Sequence, residues 1–484
     1  MKKLLLLITT FFFLTMGACQ QSDSLKSTHF TGYFKVTGDV SETLLVNSES
    51  TYWSFDNLVR DDQEWVSFTL DQLFDFYDSS SEDFDVLIIS HDGLMNQIQN
   101  HYDYVTLYLN ENGWNIHAPD FPPTLRLRGV TEIVLVEKSP DLSASVNMIT
   151  SNENLASFTP GSMRLMSLLN KPVLDGQSSR NEFEMFAFRN RLLYPITHYQ
   201  DMIEEVLIMT RDGGFDRTTL GYLEVKDHQI NYYHPDSRRN YLDIVGLILN
   251  PPKRSIMDAY HDSITSLDQN IPVMVIFIDG YSYDQFLTAS SKEFIPFMTS
   301  LGLPDKAVSV YPPVTNSGMA ALLTGEPPNV NGILSRRYRE PQVPTIFDYV
   351  NERNGSSVLI TGNTSILDVA TQVVLNLDRN DSGCNDDEVF ESALLHLEGQ
   401  DYIMVHFKGL DKLGHTYGEI NAHTLEKLEE LDDYVKQLVS AWEGTVIITS
   451  DHGMHTTEEG GYHGDFRYED LIVPYWLIKG GFFQ

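Results

Sequence analysis

Cysteine is nearly absent from this chain. Only Cys19 and Cys384 occur in 484 residues, and if Cys19 is acylated, no intramolecular disulfide can form. Basic residues are also scarce. There are 33 Lys and Arg against 68 Asp and Glu, a formal net charge of −35. A surface this negative repels phosphate backbones and argues against nucleic acid as a structural partner. It does not exclude a phosphate-bearing small molecule as substrate, because bound cations can reverse the field locally. Long apolar runs are missing as well: beyond the first residues, no segment is apolar enough to span a bilayer. What is present is globular in character. Apolar residues make up 42% and charged residues 21%. The length suits two or three domains with ample core.

The N-terminus has the shape of a targeting segment. Met1-Lys2-Lys3 is basic, Leu4 to Met16 is an apolar run broken only by threonines, and Gly17-Ala18-Cys19 follows. Small residues before a Cys resemble the bacterial lipobox, with Met16 where Leu is commoner. The expectation is a lipoprotein signal peptide over 1–18, lipid attachment at Cys19 and a polar tether over 19–27. That resemblance implies an extracytoplasmic protein anchored to a membrane of the bacterial cell envelope.

Between residues 28 and 252 the chain repeats itself. Val86-Leu87-Ile88-Ile89-Ser90-His91-Asp92-Gly93 and Val206-Leu207-Ile208-Met209-Thr210-Arg211-Asp212-Gly213 are near-copies, 120 residues apart. Each reads as an apolar strand ending in an Asp-Gly turn. Further on, Asn115 to Asp120 parallels Asn231 to Asp236, and a closing strand follows in each copy. Two β-rich or α+β repeats are expected, over 28–140 and 141–252. His91, His117 and His234 read as loop residues. Pro251-Pro252 and the polar run to residue 269 suggest a linker over 253–269.

The remainder, 270–484, alternates apolar strands and helices. Pro272 to Ile278 is unbroken apolar sequence, as in a buried parallel strand. It ends in Asp279-Gly280, and strand C-termini are where open α/β sheets place functional groups. A helix is expected from Tyr283 to Ser300. Another runs from Thr315 to a C-capping Gly325. Thr315 stands at its N-terminus, where an anion is favoured but a hydroxyl is commonly just a cap. The strand Asp401 to Phe407 leads to Asp411 and His415, four apart and so on one face of a helical turn. The strand Thr445 to Thr449 leads to Asp451-His452, and His463 follows eleven residues later. Asp and His together offer the oxygen and nitrogen ligands that zinc accepts.

The succession Asp279, Thr315, Asp411-x3-His415, Asp451-His452, His463 resembles the alkaline phosphatase superfamily, and within it the type I phosphodiesterase and nucleotide pyrophosphatase branch. In that family the nucleophile lies ten residues before the Gly of a Thr-Gly pair, as Thr315 lies before Gly325. The family's His-Gly-Ile is Asn331-Gly332-Ile333 here. The resemblance implies an alkaline-phosphatase-like α/β domain with a mostly parallel sheet flanked by helices. It implies two divalent metal ions, of which zinc suits the ligands. One would be held by Asp411, His415 and His463, the other by Asp279, Asp451 and His452 with Thr315 as its reactive ligand. It further implies a phosphodiesterase or pyrophosphatase acting through a phosphothreonine, with a phosphomonoesterase or a vestigial hydrolase on a ligand-binding lipoprotein as alternatives. Asn316 and Lys408 are candidate substrate contacts. Arg336 and Arg337 are further candidates, each expected in a surface salt bridge. A sulfatase is disfavoured, since Thr315 to Met319 lacks the Cys/Ser-x-Pro-x-Arg pattern.

Overall fold

A computed structural model describes residues 32–50, 55–60, 62–140, 145–180 and 183–479. The leader, Cys19 and the tether lie outside these residues. The chain divides into two compact units, one reaching to Ser139 together with Pro160–Met166, the other comprising Pro140–Thr159 and Ser167 onward. No helix among the described residues is long and apolar enough to cross a membrane.

The first unit is built on a five-stranded sheet. Its spatial order is Leu44–Asn47, Tyr33–Gly38, Val130–Glu137, Phe84–Ser90, Met95–Ile98. Tyr33–Gly38 runs parallel to Val130–Glu137, and every other pairing is antiparallel. A four-stranded sheet, Asp56 to His117, accompanies it. The core between them is aromatic. Trp114 meets Phe34 and Phe68 edge-on at 5.4 and 5.8 Å, the geometry aromatic quadrupoles prefer. The short helix Pro160–Arg164 belongs to this unit, where Asp39 accepts the Gly161 N–H and Arg164 pairs with Glu132 at 2.7 Å.

The second copy repeats this arrangement strand for strand. Its order is Asn154–Phe158, Val146–Ile149, Ile244–Leu249, Val206–Thr210, Phe215–Thr218, again with one parallel pair, Val146–Ile149 with Ile244–Leu249. Even the irregularity recurs. The ladder slips at Ile89/Ser90 in the first copy and at Met209/Thr210 in the second. There the hydroxyls of Ser90 and Thr210 bond Asp92 and Asp212, and Gly93 and Gly213 turn the chain at φ 84° and 85°. His234 in this copy bonds the hydroxyls of Thr219 and Ser237.

The large sheet of the second unit has eight strands, in the order Arg254–Ser255, Asp305–Val308, Ile472–Ile478, Thr445–Thr449, Val273–Ile278, Tyr402–Phe407, Ser357–Thr361, Gln372–Leu375. Only Ile472–Ile478 is antiparallel to its neighbours. Every residue of Val273–Ile278 is buried, because both faces are covered. On one face Met274, Ile276 and Ile278 share a core with Leu428, Leu431 and Val435 of the helix Ala422–Ala441. Leu207 and Ile248 of the second repeat join the same core. On the other face Val275 and Phe277 pack with the helix Thr315–Thr324. The long helix expected from Tyr283 is two, Tyr283–Ser291 and Pro296–Ser300. Pro296 lacks an N–H and starts a helix more readily than it continues one. The Asp432 carboxylate then accepts the Phe297 and Met298 N–H groups at 2.8 and 2.7 Å.

Trp114 is fully buried. Trp114→Ala should therefore cost about 3–5 kcal/mol, read as a lowered denaturation midpoint of the transition that reports on the first unit.

Candidate metal centre

Three adjacent parallel strands end side by side, and each delivers a carboxylate. Val273–Ile278 ends in Asp279, Thr445–Thr449 leads to Asp451-His452, and Tyr402–Phe407 leads into the helix Gly409–Tyr417, which carries Asp411 and His415. Two glycines allow the close approach. A Cβ on Gly318, in the Thr315 helix, would lie 2.6 Å from the Asp451 Cβ. Gly280 has φ 74°, and a Cβ there would lie 3.0 Å from the Asp411 Cβ. Both backbones can come together only because side chains are absent there.

The ligand atoms gather in two overlapping groups, Asp279–Asp451–His452 and Asp411–His452–His463. His452 Nε2 lies 3.2 Å from Asp451 Oδ2 and 3.6 Å from Asp279 Oδ1. His463 Nε2 and His415 Nε2 lie 3.6 and 3.5 Å from Asp411 Oδ1. Asp279, Asp451, His452 and His463 are buried, whereas the side chain of His415 is 36% exposed and that of Asp411 18%. The site thus opens on the Asp411–His415 side.

Each histidine is held in the tautomer a metal requires. Nδ1–H of His452 donates to the Gly453 carbonyl at 2.8 Å, that of His463 to Pro313 at 2.9 Å, and that of His415 to Gly461 at 3.0 Å. All three Nε2 lone pairs are left facing the carboxylates. The carboxylates are oriented too. Asp451 Oδ1 accepts the Gly280 N–H at 3.3 Å, and the Ser309 hydroxyl bonds the Asp451 carbonyl. Asp279 Oδ2 accepts from His406 Nε2 at 3.0 Å, whose Nδ1 meets the Thr361 hydroxyl at 3.1 Å. His406 sits on Tyr402–Phe407, stacked on Phe277 at 4.3 Å. In the sequence it is one polar residue in an apolar strand, with no spacing signal to tie it to Asp279.

The outcome is a cluster of acceptor lone pairs without donors. Asp279 Oδ1, Asp411 Oδ1, Asp451 Oδ2 and His463 Nε2 are buried and have no hydrogen-bond partner among the described residues. Burial pushes the Asp279 carboxyl up to about 8, helped by the Asp451 charge. Burial and the Asp411 charge push Asp451 up to about 7. Asp411 is raised by burial and then by Asp279. Burial depresses His463 to about 2. Oxygen and nitrogen ligands gathered in this way fit divalent cations.

Thr315 opens its helix, with Val314 as the N-cap residue. Its hydroxyl caps nothing and lies 3.4 Å from His452 Nε2. Asn316 and Lys408 are turned to nearby loops: the Asn316 amide donates to the Tyr338 carbonyl at 3.1 Å and Lys408 Nζ to Thr364 at 2.8 Å. The Lys408 charge nonetheless acts on Asp279. Arg336 has no salt bridge among the described residues, contrary to the expectation. It is exposed, and its charge acts on Asp279, Asp411 and His463.

This is an α/β domain with a metal-type cluster at the carboxyl edge of its sheet. Residues 363–473 match the model of the type I phosphodiesterase / nucleotide pyrophosphatase family. The matched segment contains Asp411, His415, Asp451, His452 and His463, while Asp279 and Thr315 lie before it. The chain is 24% identical over 235 residues to the catalytic subunit of GPI ethanolamine phosphate transferase 2 from Homo sapiens, covering 43% of this chain and 23% of that protein. It is 27% identical over 141 residues to a 2,3-bisphosphoglycerate-independent phosphoglycerate mutase from Methanococcus maripaludis, covering 28% of this chain and 34% of that one. The chain therefore spans only a minor part of these relatives. Among solved structures, phosphonoacetate hydrolase from Sinorhizobium meliloti 1021 in complex with phosphonoformate aligns with a TM-score of 0.32 and 18% identity, over 38% of this chain and 56% of that one.

Two outcomes follow from this geometry. The raised carboxyls favour the metal-free fold at low pH, and that contribution is lost as pH rises through about 7 and 8. A divalent ion displaces those protons, so its affinity should rise with pH, by ~10-fold per pH unit for each proton released. The gain in melting temperature on adding zinc to chelator-treated protein should be larger at pH 8 than at pH 5.5; an equal gain would contradict the ligand set. Separately, His406→Phe should weaken zinc binding about 10–100-fold, measured by chelator competition.

Proposed function

We propose that this protein hydrolyses phosphoric esters, with a phosphodiester or pyrophosphate as the favoured substrate and Thr315 as the nucleophile. The observation that carries this is the Thr315 hydroxyl. It is uncapped at a helix N-terminus and 3.4 Å from His452 Nε2, beside the unpartnered carboxylates. Asp279, Asp451 and His452 would hold one divalent ion and Asp411, His415 and His463 another. Bound there, such ions supply positive charge to the phosphoryl oxygens and lower the pKa of a hydroxyl or water.

The residues then divide the work. Thr315 Oγ loses its proton and attacks phosphorus in line, expelling the alcohol or phosphate leaving group and forming phosphothreonine. The first-turn N–H groups at Asn316 and Ser317 have no intrahelical acceptor and are placed to hold a non-bridging oxygen. Water then attacks the same phosphorus from the side the leaving group vacated and releases Thr315. Arg336 supplies a peripheral positive charge for the anionic substrate in a strongly acidic protein. Attachment through Cys19 would place this activity on the outer side of a bacterial membrane.

The similarity to a phosphoethanolamine transferase supports a second outcome for the same intermediate, capture by an alcohol instead of water. Zinc-loaded mature protein should turn over bis-p-nitrophenyl phosphate faster than p-nitrophenyl phosphate, and p-nitrophenyl sulfate not at all. Thr315→Ala should lose roughly 10³-fold or more. No metal-dependent turnover of either phosphate, with Thr315→Ala matching wild type, would defeat the proposal. Arg336→Ala should raise KM about 3–10-fold and leave kcat nearly unchanged, since an exposed charge of this kind serves ground state and transition state alike.

A further inference from the structure

The second repeat carries a hairpin longer than its own sheet needs. In the first repeat the corresponding strands, Asp56–Arg60 and Gln63–Thr69, have five and seven residues, and the latter joins the next strand of its sheet at Ser67 to Thr69. In the second repeat the pair is Leu169–Arg180 and Phe183–Pro195, with twelve and thirteen residues. Here too the latter joins the next strand through its last three residues, Leu193 to Pro195. The added length is paired within itself, out to Arg180 opposite Phe183. Every residue from Phe183 to Asn190 is exposed.

The extension is apolar along one strand only. Phe183, Met185, Phe186 and Phe188 are 79, 68, 47 and 64% exposed. The strand opposite is polar: Gln177 opposes Phe186 and Ser178 opposes Met185. A lone two-stranded hairpin is marginal in water, and large apolar side chains gathered on a surface mark a contact. The two edges of the hairpin differ as well. Leu169–Arg180 carries Lys171, Pro172 and a register slip between Leu174 and Gly176, devices that discourage pairing with another strand. The stretch Phe183–Asn190 contains no proline, no lysine and no slip. Its outer edge is open to a further strand.

We propose that a second copy of this chain docks on that edge, the two hairpins forming one four-stranded antiparallel sheet. Charge favours this occupant. Residues 169–195 hold four Lys and Arg against three Asp and Glu, in a chain of net charge −35, so two copies can meet here without the repulsion the rest of their surface imposes. The strand is also complementary to itself. About a two-fold axis at Ala187, an antiparallel register sets Phe186 of each copy opposite Phe188 of the other and Glu184 opposite Asn190, with the small Ala187 side chains at the axis. The four rings then share one face. The three Phe and Met185 expose on the order of 500 Å² per chain, or roughly 1,000 Å² for the pair, where specific interfaces begin. A lipid bilayer fits less well, because it would take Gln177, Ser178, Ser179 and Glu184 out of water with the rings. Edge pairing leaves the polar strand in solvent.

The test is sedimentation equilibrium of residues 19–484 carrying Cys19→Ser, so that no acyl chain contributes to association. A reversible dimer is expected, with a Kd of about 1 μM for an interface of this size. Phe186→Ser with Phe188→Ser should weaken it about tenfold or more and leave the melting temperature unchanged. With Cys384→Ser added, Ala187→Cys should yield a disulfide-linked dimer on treatment with diamide, and Ser178→Cys should not. Protein that stays monomeric at roughly 100 μM, a hundredfold above that Kd, overturns the proposal. So does a dimer that the double Phe variant leaves intact, or one that Ser178→Cys links and Ala187→Cys does not. Monomer that floats with vesicles of phosphatidylcholine and phosphatidylglycerol, and is released by the Phe substitutions, overturns it in favour of a bilayer. If the double variant fails to fold by circular dichroism, Met185→Lys takes its place under the same criteria.

Discussion

Three carboxylates share one pocket, two of them buried and Asp411 at its open side, and the fold holds them there against their mutual repulsion. Asp279 and Asp451 have almost no solvent contact, and among the described residues no salt bridge to a Lys or Arg satisfies either of them. An uncompensated buried charge costs several kcal/mol, so such groups would turn outward or take up protons unless the surroundings fixed them. Here the surroundings are rigid. Asp279 is bonded by His406 from the neighbouring strand, Asp451 by the Gly280 N–H and Ser309, and Gly318 lets a helix close over the pair. The eight-stranded sheet acts as the clamp, and the cluster is at rest only when cations or protons neutralise it.

The same constraint explains which parts of the chain could be read in advance. Val273–Ile278 is legible because a strand covered on both faces has no polar side to hide. The Thr315 helix is legible because it is small and apolar and ends in Gly325, which adopts φ 70°. The ligands follow strand ends, so their order along the chain carries information. What was not legible is what the tertiary fold alone creates. His406 resembles any core histidine until its strand is laid beside Asp279, 127 residues away. The Thr315 hydroxyl looks like a cap until Val314 takes that place. Arg336 looks like a surface ion-pair partner until it is seen without one among the described residues, its charge felt by three cluster residues. Composition marks a turn at Pro251-Pro252 but cannot say that the preceding strand joins the large domain's core.

The duplicated modules show the converse. Their recurrence is plain in sequence because the Asp-Gly turn must follow the ladder slip at a fixed place, with glycine at positive φ. Their shared strand order, with its single parallel pair, has no comparable local signal.

The histidine tethers have a consequence for how the protein is assembled. Nδ1 of His463 is fastened to the Pro313 carbonyl, 150 residues away, and that of His415 to Gly461, 46 residues away, while His452 bonds its own neighbour Gly453. Asp451 reaches back 171 residues to Gly280. In the unfolded chain only Asp451-His452 and the Asp411–His415 turn remain local. Ions therefore have little to grip before the long-range pairing is complete, unlike those that template small metal-dependent folds. They would act as a latch closed last, slowing unfolding while leaving the folding rate nearly unchanged. A denaturant chevron would register this in its unfolding limb alone.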